Sequence, residues 1–267
     1  MTQQLHDRVA VVTGGGRGIG LGIAERLASD GANVVIGELV PERGDEAAAG
    51  LVAKGLRVSA VPLDVSSSAS CASMVDAVLA AHGRIDILVN NAGLFRLHRS
   101  EEMPEDDWRL QIDVMLTGVF LCTQAVGRAM IASGSGGSVV SIASIGGMGG
   151  WPMRSAYNAA KAGVICLTEV LATEWAQHGI RLNCVSPGVT RTEMLDVAVK
   201  QGVASLQLYE DRTPMGRVAQ VREIADAVAF LASDRSSYVT GQNLRVDGGW
   251  VPWANPEGHG FPSKVHA

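Results

Sequence analysis

The sequence has few of the features that mark secreted, membrane or nucleic-acid-binding proteins. Aromatic residues make up 4% of its 267 residues, and it contains four cysteines. Residues 1–8 are polar, without the apolar core of a signal peptide, and no uninterrupted apolar run reaches the roughly 18 residues of a membrane span. The net charge is −5 without a basic cluster. We therefore expect a cytoplasmic protein with neither a membrane nor a nucleic-acid partner.

The cysteines and histidines predict neither a disulfide nor a metal site. The cysteines lie far apart in apolar surroundings without a Cys-x-x-Cys pair, and we interpret them as reduced, buried thiols. The histidines lack metal-ligand spacing, so no metal is expected. The cysteines are Cys71, Cys122, Cys166 and Cys184, and His6, His82, His98 and His178 are interpreted as solvated.

Strand-like and helix-like patterns alternate along the chain. Apolar residues make up 47% of the sequence, enough for a large core, and several strand candidates are apolar on both faces. This predicts one α/β domain over residues 1–250, with a Rossmann-like, doubly wound sheet of about seven parallel strands and helices on both faces, and residues 251–267 as its C-terminal extension. The predicted strands are 9–13, 33–37, 57–63, 85–90, 137–142, 181–186 and 243–246, and the predicted helices are 18–29, 41–54, 67–82, 105–132, 155–177 and 220–232.

A glycine-rich turn joins the first strand to the first helix. Its spacing is Thr-Gly-x-x-x-Gly-x-Gly, with Gly14, Gly18 and Gly20. Such a turn lets the backbone approach a pyrophosphate, whose charge meets the free N–H groups of the helix. A purely structural turn is the alternative, but the position between a strand and a helix favours dinucleotide binding.

Glu38, at the end of the second strand, bears on which dinucleotide binds. A carboxylate there can accept hydrogen bonds from both adenosine ribose hydroxyls and would repel a 2′-phosphate, and Leu39 is not basic. Glu38 as a solvated charge is the alternative, and Arg17 in the glycine turn could reach a 2′-phosphate. We therefore expect NAD, with NADP less favoured.

Later motifs follow the strands in a consistent order. They are Leu63-Asp64-Val65, Asn90-Asn91-Ala92-Gly93, Ser144, Tyr157-x-x-x-Lys161, Pro187-Gly188 with Thr192, and Val246-Asp247-Gly248-Gly249. Any one of these is weak, but together they make the chain resemble a classical short-chain dehydrogenase/reductase over about residues 5–250. The resemblance implies hydride transfer between an alcohol or ketone and a nicotinamide cofactor.

Tyr157 and Lys161 are four residues apart on one helix face. A free tyrosine, with a pKa near ~10, is a poor base at neutral pH, but a nearby ammonium favours the phenolate and lowers the pKa. In isolation the pair would be read as a surface pair; among these motifs Tyr157 is predicted as the general acid/base. Ser144 would hydrogen-bond the substrate oxygen. Ser141, deeper in the strand, is interpreted as structural.

The resemblance implies further cofactor contacts. Asp64 would hold the adenine amino group, Lys161 the nicotinamide ribose and Thr192 the carboxamide. Asp64 and Thr192 also suit a turn and a helix N-cap, which are the alternatives. The predicted cofactor-binding residues are Gly14, Arg17, Gly18, Ile19, Gly20, Glu38, Asp64, Val65, Asn90, Ala92, Gly93, Tyr157, Lys161, Pro187, Gly188, Thr190 and Thr192.

One position departs from the family pattern. Where members usually carry an asparagine that helps hold a water next to the lysine, this chain has Met115, which cannot form the same hydrogen bonds. Proton relay through water held by the backbone is the favoured interpretation. A slow or altered catalyst, or a binding protein that kept the fold, are the alternatives.

The segments after strands four, five and six are expected to form a largely apolar substrate pocket. Arg96 or Arg154 could hold a carboxylate or phosphate there, or simply be solvated. The predicted pocket residues are Leu94, Phe95, Arg96, Ile145, Gly146, Trp151, Arg154, Met194 and Leu195.

The leading hypothesis is an NAD(H)-dependent oxidoreductase of a secondary alcohol (polyol, cyclic or aliphatic) and its ketone. The alternatives are an NADPH-dependent 3-oxoacyl thioester reductase and a catalytically weak cofactor-binding protein. The resemblance implies a homotetramer or homodimer. The tail 250–267 carries Trp253 and Phe261, which suggests that it packs on a surface near a neighbouring subunit's active site; a tail that lies on its own subunit or is frayed is the alternative.

Overall fold

The computed structural model of the chain describes residues 4–202 and 204–253. Its strands are β1 (Val9–Thr13), β2 (Asn33–Glu38), β3 (Val58–Pro62), β4 (Ile87–Asn90), β5 (Gly137–Ile142), β6 (Ile180–Pro187), β7 (Thr190–Arg191), β8 (Ala219–Gln220) and β9 (Asn243–Val246). Seven of them form one parallel sheet in the order β3-β2-β1-β4-β5-β6-β9, and β7 pairs with β8 separately. The predicted doubly wound sheet is confirmed.

Helices cover both faces of this sheet. They are α1 (Gly18–Ser29), α2 (Pro41–Val52), α3 (Ser68–His82), α4 (Glu105–Ile112), α5 (Gly118–Ser133), α6 (Ser155–Trp175), α7 (Glu193–Lys200), α8 (Leu206–Arg212) and α9 (Val221–Ala232). The alternate residues of β1 show why its sequence is apolar throughout: Ala10 and Val12 pack with α1 and α9, and Val9 and Val11 pack with α3 and α5.

Two helices, α7 and α8, lie where no helix is predicted. They have eight and seven residues, and neither contains a buried residue, so each is too short for a helical pattern to be recognised reliably along the sequence. Thr192 and Ser205 cap their first turns, which is the sequence signal that could have revealed them.

The long helix predicted over 105–132 is divided. A π-helical turn, Asp113–Thr117, lies between α4 and α5. The combined stretch Glu105–Ser133 is long and apolar enough to cross a membrane by length and composition alone, with 44% of its most apolar window buried. Here α4 contacts α6, and α5 packs against α3 and the sheet. The absence of a membrane partner stays a prediction.

The cysteine prediction is wrong at one position. Cys71, Cys122 and Cys184 are buried and free as expected, but Cys166 is exposed. Its helix, α6, covers the sheet with one face, and Cys166 lies on the other. An apolar local sequence therefore did not imply burial at this position.

The order of the strands reverses between β1 and β4, because β2 follows β1 on one side and β4 lies on the other. In such a sheet a crevice opens beyond the carboxyl ends of the strands at this point. The glycine turn follows β1, and the motif Asn90-Asn91-Ala92-Gly93 begins at the last residue of β4. The fold therefore places both motifs at the crevice.

Candidate active site

Three side chains predicted to be catalytic meet beyond the carboxyl end of β5. Ser144 is 9% exposed, and its Oγ accepts a hydrogen bond of 3.0 Å from the N–H of Gly146. Tyr157, in the first turn of α6, lies close enough to Ser144 for that side chain to lower its pKa. Lys161, one turn later, is buried, with its Nζ 5.9 Å from the centroid of the Tyr157 ring. The structure brings the three together, and their catalytic roles stay predictions.

The environment of Tyr157 differs from the one expected. Burial raises the pKa of Tyr157 above its ordinary value, while the hydrogen bond with Ser144 and the charge of Arg154 lower it. The expected lowering of this pKa by Lys161 is not what the structure shows. Burial of the phenol is the largest influence, and the Lys161 ammonium donates its hydrogen bond to the carbonyl oxygen of Ile142, at 2.7 Å, rather than to Tyr157.

Lys161 is itself strongly affected by its surroundings. Burial lowers the pKa of Lys161 from 10.5 to about 8, because the charged ammonium loses water and gains no carboxylate partner among the described residues. At a pH near 8 the side chain therefore exists in both protonation states. Such a group can accept and release protons where a free lysine cannot.

Met115 is fully buried in the π-helical turn between α4 and α5. A Cβ at Gly93 would lie 3.7 Å from its Sδ, so the methionine packs beside the segment after β4. In this turn the N–H of Gly118 donates to the carbonyl of Asp113, five residues earlier, instead of four. Wider turns of this kind disturb the regular ladder of backbone hydrogen bonds and often occur at functional sites. This geometry suits the interpretation in which the backbone holds the water.

The glycine turn forms a cradle that larger residues would fill. Gly14 has φ of +61°, and a Cβ there would lie 2.9 Å from the Cα of Ala92. Gly18 has φ of +56°, and a Cβ there would point toward the Thr192 methyl, 3.9 Å away. The turn therefore lies against the β4 motif on one side and leaves a gap facing the segment after β6.

A hydrogen-bond clamp fixes this turn to the end of β4. The Thr13 hydroxyl accepts hydrogen bonds from the N–H groups of Asn91 and Ala92, each at 3.0 Å. The Asn91 side-chain amide donates to the carbonyls of Thr13 and Gly14, also at 3.0 Å. Asn91 is thus a structural part of the cofactor site that the predicted set omits. Its place in the Asn-Asn-Ala-Gly motif was the available signal.

The cradle fits the phosphate and ribose groups of a dinucleotide. No side chain caps the N-terminus of α1, and its first turn contains no acidic residue, so its free N–H groups suit an anion. Deeper in the crevice, Asn90 donates to the hydroxyls of Thr123 and Ser141, at 2.9 and 3.2 Å. Its buried Oδ1 has no partner among the described residues, which leaves one acceptor for a hydroxyl.

Glu38 is buried and ionised rather than solvated. It accepts hydrogen bonds from the N–H groups of Gly16 and Leu39, at 3.1 and 3.0 Å, and from Arg43 on α2, at 2.5 Å. Although burial opposes it, these partners, Arg43 first, hold the pKa of Glu38 below its ordinary value. Arg43 is a second residue that the predicted set omits, and no local pattern signalled its pairing with Glu38.

Other predicted cofactor residues take the structural roles named as alternatives. The Asp64 carboxylate accepts hydrogen bonds from the N–H and hydroxyl of Ser66, as a turn residue does. The Thr192 hydroxyl accepts one from the N–H of Leu195 as the N-cap of α7. Thr190 lies in β7, and Val65 and Ile19 pack into the core. Cofactor binding by these residues stays a prediction.

Aromatic rings and arginines lie beside Tyr157, among the residues predicted to form the substrate pocket. The Phe95 ring meets the Tyr157 ring edge to face, with centroids 5.2 Å apart. Arg154 lies over the Phe95 and Trp151 rings, and Trp151 stacks on Trp250 with centroids 5.2 Å apart. The start of the tail therefore packs on its own subunit, close to the site. Residues 254–267, including Phe261, lie outside the described residues.

The remaining pocket predictions are only partly supported. Ile145 and Gly146 are buried next to Ser144, and Leu94 is partly buried beside Phe95. Met194, on α7, is 60% exposed, so the structure does not seal it into a pocket. Leu195 is partly buried. Within residues 4–202 and 204–253 no group of three potential metal ligands occurs.

Comparisons with known proteins agree with this arrangement. A family model described as enoyl-(acyl carrier protein) reductase matches residues 14–251. A cis-4-hydroxycyclohexanecarboxylate dehydrogenase of Sinomonas cyclohexanicum is 42% identical over 94% of this chain and 99% of its own, and the 3-oxoacyl-(acyl-carrier-protein) reductase FabG of Chlamydia muridarum is 42% identical over 93% and 99%. The crystal structure of a gluconate 5-dehydrogenase from Burkholderia cenocepacia, in complex with NADP and tartrate, superposes with a TM-score of 0.89 at 38% identity, over 94% of this chain and 98% of that one. The chain belongs to the classical short-chain dehydrogenase/reductase family of oxidoreductases.

Proposed function

We propose that this enzyme interconverts a secondary alcohol and its ketone with NAD(H). The observation that carries the proposal is the cluster of Ser144, Tyr157 and Lys161 beside the cradle formed by the glycine turn. The coarser statement, an oxidoreductase of a family that uses NAD or NADP, already follows from the relatives.

The chain's own residues supply the proton chemistry. When bound, the nicotinamide cofactor gives or accepts the hydride. In the reducing direction the Tyr157 hydroxyl transfers its proton to the carbonyl oxygen of the ketone as the hydride reaches the carbon, and the Ser144 hydroxyl hydrogen-bonds that oxygen. Tyr157 is left as a phenolate, which the Ser144 hydroxyl and the positive charge of Arg154 stabilise until a proton returns from water. Oxidation follows the same steps in reverse.

The preference for NAD rests on Glu38. Its carboxylate is ionised and held at the end of β2, where a 2′-phosphate would bring further negative charge into a buried setting. Two cations favour NADP instead, because a cation near the ribose could pair with a 2′-phosphate. Arg17 is exposed in the glycine turn, and Arg43 contacts Glu38. The NADP bound to the Burkholderia dehydrogenase and the name of the Chlamydia reductase support this alternative, an NADPH-dependent 3-oxoacyl thioester reductase.

We also propose that the enzyme works in the cytoplasm as a homotetramer or homodimer. Large apolar side chains are exposed on both long helices and on the last strand: Phe120 on α5, Val170 on α6 and Leu244 on β9. Burying such residues between subunits would be favourable.

The test is an absorbance assay of the reduced nicotinamide with both cofactors. The panel contains cyclohexanone, 4-oxocyclohexanecarboxylate, a polyol and a 3-oxoacyl thioester. We expect NADH to be used at least about tenfold more efficiently than NADPH, and Glu38→Ser to reduce this preference by about tenfold or more. Glu46→Ser, which removes an exposed carboxylate of α2, is the matched control and should leave the preference and the NADH-dependent kcat/KM largely unchanged.

The outcomes separate the hypotheses. Preferred turnover of the thioester with NADPH would replace the proposal with the reductase alternative. Cofactor binding without turnover of any compound would support the catalytically weak binding protein.

A further inference from the structure

Arg154 is a cation at the edge of the site with no acidic partner in the part of the chain that the structure describes. It is half-buried and comes directly before α6, three residues ahead of Tyr157. Its guanidinium carbon lies 4.4 Å from the Trp151 ring centroid and 4.9 Å from that of Phe95. Two aromatic rings thus hold the guanidinium group without neutralising it.

The same rings place Arg154 close to the reacting phenol. Phe95 contacts the side chains of both residues, so the guanidinium carbon and the Tyr157 ring centroid are no more than about 10 Å apart. The positive charge reaches the phenol, since Arg154 lowers the pKa of Tyr157. A small substrate bound at Tyr157 would therefore extend to the guanidinium group.

The backbone before Arg154 is held in an uncommon conformation. Met153 has φ of +66°, in the left-handed region that non-glycine residues rarely adopt. Its carbonyl accepts a hydrogen bond of 3.2 Å from the N–H of His98, which ties the segment after β4 to the segment after β5. Strain of this kind persists where the surrounding structure fixes a position.

Two neighbouring arginines do not share these properties. Arg96 is exposed, with its Nε 4.0 Å from the Asp107 carboxylate. Arg212 lies over Trp250 and donates a hydrogen bond to the carbonyl of Trp253. Of these three cations, Arg154 is the one that combines proximity to Tyr157 with an uncompensated charge.

We propose that Arg154 binds the carboxylate of the substrate, so that the enzyme interconverts a hydroxy acid and its oxo acid. The proposal rests on the alcohol–ketone function proposed above. A guanidinium group suits a carboxylate because it can donate two parallel hydrogen bonds, and the stacking rings hold its plane ready. The Phe95 ring contacts both Arg154 and Tyr157, so we place the carboxylate and the reacting oxygen at opposite ends of the substrate rather than on adjacent carbons.

The test compares 4-oxocyclohexanecarboxylate with its neutral carboxamide. For the wild type we expect kcat/KM to favour the acid by about tenfold or more, and Arg154→Met to reduce the acid-to-amide ratio by about tenfold to a hundredfold. The acid-to-amide ratio of kcat/KM cancels any effect of the substitution on proton transfer by Tyr157, because both ketones use the same proton donor. Arg96→Met tests the competing cation: because Arg96 is exposed and faces Asp107, this substitution should leave the ratio within about threefold of the wild type.

Several results would overturn the inference. These are a wild-type ratio near one, a ratio unchanged by Arg154→Met, or a ratio lost in Arg96→Met instead. If Arg154→Met unfolds, Arg154→Lys replaces it: retaining the charge but not the paired hydrogen bonds, it should give an intermediate ratio, and a wild-type ratio would contradict the assignment.

Failure of the proposed alcohol–ketone function can be distinguished from failure of the carboxylate-binding role of Arg154. If the wild type reduces neither ketone, calorimetric titration of cyclohexanecarboxylate and cyclohexanecarboxamide in the presence of NADH decides the binding role. Tighter binding of the acid that Arg154→Met abolishes supports it, and equal binding of the two compounds overturns it.

Discussion

Replacing Lys161 with methionine is expected to change how stability depends on pH. The ammonium is buried, and its one hydrogen bond in the structure is to the Ile142 carbonyl. Burial lowers the pKa of Lys161 from 10.5 to about 8, so folding disfavours the charged form. Methionine has a similar length and removes the charge.

The magnitude follows from the difference between the two pKa values. A shift from 10.5 to about 8 corresponds to about 3 kcal/mol. Below the folded-state pKa the Lys161 side chain is charged in both the folded and the unfolded protein. The folded protein is then destabilised by the full free-energy cost of burying that charge. Above it the folded protein releases its proton first, so the wild-type free energy of unfolding rises between about pH 8 and 10.5. The Lys161→Met variant lacks this rise.

The predicted quantity is therefore the change with pH of the stability difference, variant minus wild type. It should fall by about 3 kcal/mol across the window. The lost hydrogen bond to Ile142 shifts the difference by a similar amount at every pH and leaves its slope unaffected.

Urea unfolding followed by tryptophan fluorescence, at constant protein concentration, measures this difference from about pH 7 to 10. Lys54→Met is the control: Lys54 is exposed and paired with Glu25, so its stability difference should remain nearly flat. Parallel wild-type and Lys161→Met curves, or a variant advantage that grows with pH, would refute the reasoning.

Two further variants test neighbouring parts of the site. Ser144→Ala removes a hydrogen bond that lowers the pKa of Tyr157, so alcohol oxidation should slow by about a hundredfold and reach half its maximum at a higher pH; a slower rate with an unchanged pH profile would contradict this role. Met115→Asn places a polar side chain where methionine is fully buried, so we expect a loss of about 2–4 kcal/mol in urea unfolding with turnover and its pH profile unchanged. A rise in turnover would instead show that proton relay is impaired in the natural chain.

Local patterns predicted most of the fold. Strands apolar on both faces and the glycine turn are local signals, and the predicted boundaries of the matching elements agree with the structure to within two residues, apart from the divided long helix. The α7 and α8 helices were missed because they are short and bury no residue. The π-helical turn at Asp113–Thr117 has no simple sequence signal.

The sequence predicted the site residues that belong to motifs. It did not predict contacts between residues that are far apart in the sequence. Ser144, Tyr157 and Lys161 were identified from the family resemblance that the ordered motifs carry, and the fold brings them together. The Arg43–Glu38 ion pair and the packing of Arg154 on Phe95 depend on how loops from different strands meet. The pKa of Tyr157 was misjudged because the direction of the Lys161 side chain cannot be read from a helical spacing.

The most direct test of Tyr157 as the proton donor is the rate of hydride transfer in Tyr157→Phe. Phenylalanine keeps the ring that packs edge to face on Phe95 and removes only the hydroxyl. With NADH and 4-oxocyclohexanecarboxylate, or the best ketone of the panel, single-turnover oxidation of NADH should slow by about a thousandfold or more while NADH binding stays within about threefold of the wild type. Hydride transfer at near wild-type rate in this variant would contradict the assignment of Tyr157.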